Sequence, residues 1–192
     1  YLLMDDSLYE LPGFESAKYV CAPPLRKKED QDCLWKGLAD GTIQTVSTDH
    51  CSFTTEQKKL GEGDFTKIPG GMPGAETRGT LIYTYGVDKG RITKEDMCRV
   101  LSENPAKLYG LYPRKGVIAP GSDADLVIMR TGVEDVITAK DQVQNVDYAP
   151  FEGTKVTGRV ESVFLRGLQA VKDGKVVEEK KGEFLKRGKY AL

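Results

Sequence analysis

The sequence predicts an α/β protein whose first part is built from a βαβ unit and whose last part is β-rich. Three observations carry this. Two strand-like runs, residues 18–22 and 42–47, bracket a helical pattern over residues 29–39. A glycine- and proline-rich stretch, with five glycines from Gly61 to Gly74, separates this unit from a set of short helical patterns. After about Val117 short β-rich runs alternate with turns.

Residues 18–22, Lys-Tyr-Val-Cys-Ala, have strand composition and stop at Pro23-Pro24, where backbone donors disappear. Over residues 29–39, Leu34, Trp35, Leu38 and Ala39 recur on one face, and Asp40-Gly41 supplies a C-terminal stop. Residues 42–47 form the second run and end at Thr48-Asp49-His50. This order predicts parallel pairing with a right-handed crossover. In such sheets chemistry sits beyond the carboxyl ends of the strands, here at Pro23-Pro24-Leu25-Arg26 and Asp49-His50.

The stretch from Gly61 to Gly74 reads as a loop, followed by a helical pattern over residues 75–85 with Leu81, Ile82 and Tyr85 on a common face. Thr93 reads as a helix N-cap with Asp96 at the reciprocal position, and Met97, Val100 and Leu101 form that helix's apolar stripe. Asn104-Pro105-Ala106 opens another short helix ending near Gly110. The strand runs beyond are residues 124–129, 155–160, 162–165, 170–171 and 175–177, and Lys172-Asp173-Gly174-Lys175 is a hairpin signal. Residues 178–189 form a highly charged tail, solvated or draped over a partner.

With 28 basic and 29 acidic residues the net charge is −1, which argues against a nucleic-acid footprint. No apolar run reaches the length of a membrane span. The opening Tyr1-Leu2-Leu3-Met4-Asp5-Asp6 lacks the pattern of a signal peptide and reads as a chain entered in mid-sequence. Cys21, Cys33, Cys51 and Cys98 have neither disulfide-framework nor zinc-knuckle spacing. Four reduced, mostly buried thiols and a cytoplasmic location are the resulting expectations.

Asp49 is the strongest candidate for chemistry. A carboxylate at the end of a buried parallel strand needs a cation, a metal or a donor network. Ser47, Thr48, His50, Cys51 and Ser52 crowd polar groups around it. The competing role is a cap for the segment beginning near Thr54. His50 is the sole histidine, so an imidazole-rich binuclear metal site cannot be assembled from this chain alone, and His50 reads as a supporting group. The segment 67–74 brings bare glycine backbone close to a ligand, and it lacks the Lys-Ser/Thr of a phosphate loop. Glu76 is assigned to the N-terminus of the next helix, Arg26 to a buried salt bridge, and Asp123 and Asp125 to a turn entering a strand.

Several segments taken in order resemble one family. They are Cys21-Ala22-Pro23-Pro24-Leu25-Arg26, Ser47-Thr48-Asp49-His50-Cys51-Ser52-Phe53, and the run from Asp64 through Ile68-Pro69-Gly70-Gly71-Met72-Pro73-Gly74 to Arg78. Asn104-Pro105-Ala106-Lys107, Pro120-Gly121-Ser122-Asp123-Ala124-Asp125-Leu126 and Pro150-Phe151-Glu152-Gly153 continue the series. Together they resemble the C-terminal part of a dihydropyrimidinase or hydantoinase, a cyclic amidohydrolase, over less than half of a full family member.

The resemblance implies the C-terminal portion of a TIM-like (β/α)8 barrel in residues 1–116, and part of a β-sandwich with a charged tail in residues 117–192. It implies a hydrolase opening hydantoin or dihydropyrimidine rings with two divalent metals, usually zinc, held by histidines, a carboxylated lysine and one aspartate. Asp49 matches that aspartate, as metal ligand and as the group that moves a proton from the attacking hydroxide to the leaving nitrogen. The other ligands are absent from these residues. Ala22 and Gly70 occupy positions where the family holds substrate by backbone atoms, and where relatives carry serine and asparagine. The implied partners are a cyclic amide or imide and further copies of the chain in a dimer or tetramer, with no nucleic acid and no membrane. A non-catalytic oligomeric scaffold related to dihydropyrimidinase, or an allantoinase-like enzyme, remains an alternative. Residues 1–192 alone are expected to be inactive, and to bare apolar faces around Val20 and Val46 that either meet a companion chain or make the isolated piece aggregate.

Overall fold

A computed structural model describes residues 1–177 and 182–190 of the chain. The organisation is mixed α/β. Short helices and connecting turns occupy the first part and one antiparallel sheet the last.

Helix α1 spans Lys28–Ala39 and buries Trp35 and Leu38, while Ala39 is exposed. It ends as its sequence dictates, with Gly41 at φ +81°. Helix α2, Thr55–Lys58, is a single turn capped by Thr54, which exchanges hydrogen bonds reciprocally with Gln57. Helix α3, Arg78–Ile82, runs on through a π turn, Tyr83–Val87. Helix α4, Lys94–Cys98, begins with the Thr93–Asp96 capping box and continues through a second π turn, Arg99–Glu103, into α5, Asn104–Leu108.

Residues 18–22 and 42–47 do not form strands. The first run overlaps a 3₁₀ turn, Glu15–Tyr19, and the second has no ladder partner among the described residues. The Val46 N–H bonds to the Val100 carbonyl in a helical turn, and the Val20 carbonyl accepts from Gly71. A β-prone run becomes a strand only where a neighbour supplies the ladder, and these two runs do not lie side by side as one. No parallel pair, and so no barrel, is evident among the described residues. Val20 and Val46 are nonetheless half-buried and not bare: Val46 packs on the cluster of Trp35, Leu38, Ile82, Ile92 and Val100.

Strands β1 (Leu126–Val136), β2 (Lys155–Leu165), β3 (Leu168–Lys172) and β4 (Lys175–Val176) make an antiparallel meander in chain order. The Asp173-Gly174 turn has both residues at positive φ, +50° and +74°, as a tight hairpin requires. The sheet docks on α3 and its π turn. The Thr157 N–H donates to Thr84 Oγ1 at 3.1 Å, and Tyr83 lies where a Cβ on Gly158 would be, 2.4 Å away. A second core of Leu81, Ile137, Ala149 and Val156 seals this junction.

Asp123 and Asp125 are structural, pairing with Lys115 at the entry to β1. Arg26 is exposed and its carbonyl accepts from Asp6, so it makes no buried salt bridge. Of the charged tail, residues 178–181 lie outside the described residues. Beyond them Gly188 donates to the Gly110 carbonyl and Glu183 pairs with Arg114 and Arg166, so this part lies against the chain itself. No helix among the described residues is long and apolar enough to cross a membrane.

Candidate functional site

The extended segment after α1 carries Thr48, Asp49 and His50 outward, and the backbone turns sharply at Asp49, φ +46°. Aspartate tolerates this left-handed region better than most residues, yet it costs energy there. Asp49 is exposed, contrary to the desolvated carboxylate expected of a buried strand end, because the segment has no flanking strands among the described residues. Thr54 caps α2, which removes the capping role for Asp49.

His50 supports its surroundings directly. Its Nδ1 accepts from the N–H groups of Gly74, at 3.0 Å, and Ala75, at 3.2 Å. That fixes the proton of a neutral ring on Nε2. The next residue extends the lacing: Cys51 N–H donates to the Met72 carbonyl at 3.0 Å. The glycine-rich loop is therefore hung along the Asp49 segment. At Gly71, φ is +128° and a Cβ would stand 2.5 Å from Cys51 Sγ, so only glycine fits.

The third segment joins through Gly71, whose N–H donates to the Val20 carbonyl at 2.9 Å. Residues 20–23, 49–51 and 69–75 thus form one laced unit bearing all three sequence-selected positions. Ala22 and Gly70 are both exposed on it.

At the centre of the unit is a residue the sequence did not single out. Lys58, at the end of α2, is fully buried and donates to the carbonyls of Val20 (3.1 Å), Pro69 (2.7 Å) and Gly71 (2.8 Å). Phe53 covers it, with the ring centre 5.8 Å from Nζ. Burial pulls Lys58 down to about 8, opposed by Cys21 and Cys51. Three carbonyl acceptors call for three N–H donors, which an ammonium has. The only sequence signal was negative: in Gln57-Lys58-Lys59 nothing distinguishes the buried lysine from the exposed one.

Glu76 also departs from its expected place. It precedes α3 in a turn, and its carboxylate accepts from the N–H groups of Val143 and Gln144 at 3.0–3.2 Å, tying the loop to the segment ahead of β2. A cavity of about 360 Å³ opens beside Asp49, lined by Ile43, Val46, Met72, Leu81 and Ile82 among others, and so mostly apolar. Ala22 and Gly70 do not line it. Burial and the nearby Cys21 push the Tyr1 phenol, also at this cavity, up to about 12. The four cysteines are free, but none is fully buried: Cys21 and Cys51 are half-buried within the laced unit, and Cys33 and Cys98 are exposed.

Among the described residues no three His, Cys, Asp or Glu side chains converge. Asp49 is a single exposed carboxylate, and the Nδ1 of its neighbour His50 is engaged by two amides. These residues do not by themselves make a metal centre.

The family model for amidohydrolases matches residues 13–177, most of the chain. The chain belongs to the amidohydrolase family. Within that family it is homologous to hydantoinases: the D-hydantoinase of Geobacillus stearothermophilus is 50% identical over 192 residues, covering 99% of this chain and 41% of that protein. The D-hydantoinase structure from Bacillus sp. AR9 superposes with a TM-score of 0.97 at 46% identity, over 100% of this chain and 42% of that one. The dihydropyrimidinase structure from Brevibacillus agri NCHU1002 gives the same TM-score at 45% identity and the same coverage. This amidohydrolase chain spans about two fifths of the length of the relatives it matches.

Proposed function

We propose that this amidohydrolase chain is part of a hydrolase that opens cyclic amide rings of the hydantoin or dihydropyrimidine class. The observation that carries the reading is Asp49: an exposed carboxylate in left-handed backbone, on a segment laced through His50 and Cys51 to the glycine-rich loop. A strained, solvent-facing carboxylate beside bare backbone is suited to reacting with a bound ring rather than to holding the fold.

In this reading Asp49 takes the proton from the attacking water and delivers it to the ring nitrogen as the amide bond breaks. The exposed backbone at Ala22 and Gly70 holds the ring, and the laced unit keeps the two at fixed spacing. Two divalent metals, of which zinc is the proposed identity, would supply an activated water in the whole protein. Asp49 would be one ligand, and histidines and a carboxylated lysine outside this chain the others. Residues 1–116 would then be the closing part of a TIM-like barrel and residues 117–192 part of a β-sandwich. The apolar cavity lined by Ile43, Val46 and Leu81 supports a core completed by further barrel elements. Assembly as a dimer or tetramer and a cytoplasmic location belong to the same proposal.

The test is ring opening of hydantoin and dihydrouracil by the whole protein supplied with zinc, beside its Asp49→Asn variant and beside residues 1–192 alone. Turnover by the whole protein, lost in the variant and absent from residues 1–192 alone, supports the reading. A metal-loaded whole protein that turns over neither ring sinks it.

A further inference from the structure

We propose that Lys58 is a positioning residue that clamps the Ala22 and Gly70 segments into one register, and so sets the spacing of the backbone groups that hold the substrate. The consequence for substrate rests on the ring-opening reading above; the clamp itself does not.

A fully buried ammonium is costly, and among the described residues no carboxylate pairs with it. Its three protons go to carbonyls on two segments distant in the chain: Val20, two residues before Ala22, and Pro69 and Gly71, which flank Gly70 on either side. The Gly71 N–H also bonds directly to the Val20 carbonyl, so the two segments are joined beside Lys58 as well as through it. The ammonium adds control of the peptides around Gly70. Gly70-Gly71 is the most freely rotating dipeptide the chain can offer, and ordering it costs more conformational entropy than ordering any other residue pair. A Cβ on Gly70 would meet nothing within 4 Å, so its outer face is open to a ligand. An open, intrinsically floppy glycine that must present its backbone at a fixed place needs its flanking carbonyls held, and Lys58 holds both. The Phe53 ring lies over the ammonium, its centre 5.8 Å from Nζ, and with Lys58 fully buried water does not compete for the donors.

The experiment uses Lys58→Met and Lys58→Gln, read by amide hydrogen exchange at Gly71 and by the kinetics of hydantoin opening in the whole protein. A clamp predicts that Gly71 exchange accelerates about tenfold or more in Lys58→Met, while amides in the Trp35–Val100 core keep their protection. KM rises by about tenfold with kcat within about threefold of wild type, and Lys58→Gln, with two donors, falls between. Unchanged Gly71 exchange and unchanged KM in a folded variant overturn the proposal, as does faster exchange spread evenly over the whole chain. Should neither variant fold, the wild type decides. Gly71 protection, corrected for intrinsic rate, falls as the Lys58 ammonium loses its proton if that ammonium holds the loop, and protection unchanged across the Lys58 titration overturns the clamp. If the wild-type protein opens no ring, the ring-opening reading fails and Gly71 exchange still decides the clamp.

Discussion

His50 Nδ1 and the Gly74 N–H meet at 3.0 Å, and this bond, shared with Ala75, fastens the glycine-rich loop beside Asp49. The chain's sole histidine is thus an acceptor of backbone amides. Asparagine places an acceptor oxygen near the Nδ1 position, whereas alanine leaves both amides to water. His50→Asn should therefore keep most of the thermal stability, and His50→Ala should lose about 1 kcal/mol. Chemical denaturation of the two variants measures the difference; equal losses would show that the ring's bulk, and not Nδ1, matters.

Asp49→Asn separates charge from backbone. Asparagine accepts the left-handed conformation as readily as aspartate, so the fold should be unaffected within about 0.5 kcal/mol. Ring-opening activity of the whole protein should drop by about 10²-fold or more, because no carboxylate remains to carry the proton. Asp49→Ala should lose activity similarly and also some stability, since alanine pays more for φ +46°.

Gly71→Ala tests the fit of the loop against Cys51. The added methyl would stand 2.5 Å from Sγ at a φ of +128°, and no rotamer change relieves the backbone strain. A loss of about 1–3 kcal/mol is expected in denaturant titration, with raised exchange at the Met72–Cys51 bond. Gly70→Ala, with open space around it, should cost far less.

Lys58 gives a pH signature. Its native value near 8 lies below the ordinary 10.5, so between those values the unfolded chain holds the proton and the native chain does not. Stability then rises with pH across that window, because the penalty of burying the charge, fully present below about 8, is progressively relieved. Over the same window the loop loses one of its three donors. The difference in denaturation midpoint between wild type and Lys58→Met should widen in favour of wild type from about pH 8 to about pH 10.5.

Thr93→Ala removes the hydroxyl that caps α4 by accepting from the Asp96 N–H, while the Thr93 N–H and Arg99 still bond the Asp96 carboxylate. A loss of about 1 kcal/mol is expected, measurable as a lowered Tm.

Helices and turns were legible in the sequence because their signals are local. The Thr93–Asp96 box, the Gly41 stop and the Asp173-Gly174 turn each involve groups within a few residues of one another. The runs at 18–22 and 42–47 have strand composition but form no ladder, because strand formation depends on a neighbour and composition alone cannot supply one. The place of Glu76 is hidden for a related reason: its acceptor oxygens serve Val143 and Gln144, far along the chain. Arg26, assigned a buried partner, instead lies exposed.

By itself the sequence determined the family and the helical punctuation, since ordered motifs and capping residues are both written in one dimension. The tertiary structure alone decided that Lys58 and not Lys59 is buried, that His50 serves amides, and that the segments of Ala22, Asp49 and Gly70 form one laced unit. Those outcomes depend on which carbonyls converge on a side chain once distant segments are brought together, and burial, unlike residue type, exists only after the chain has folded.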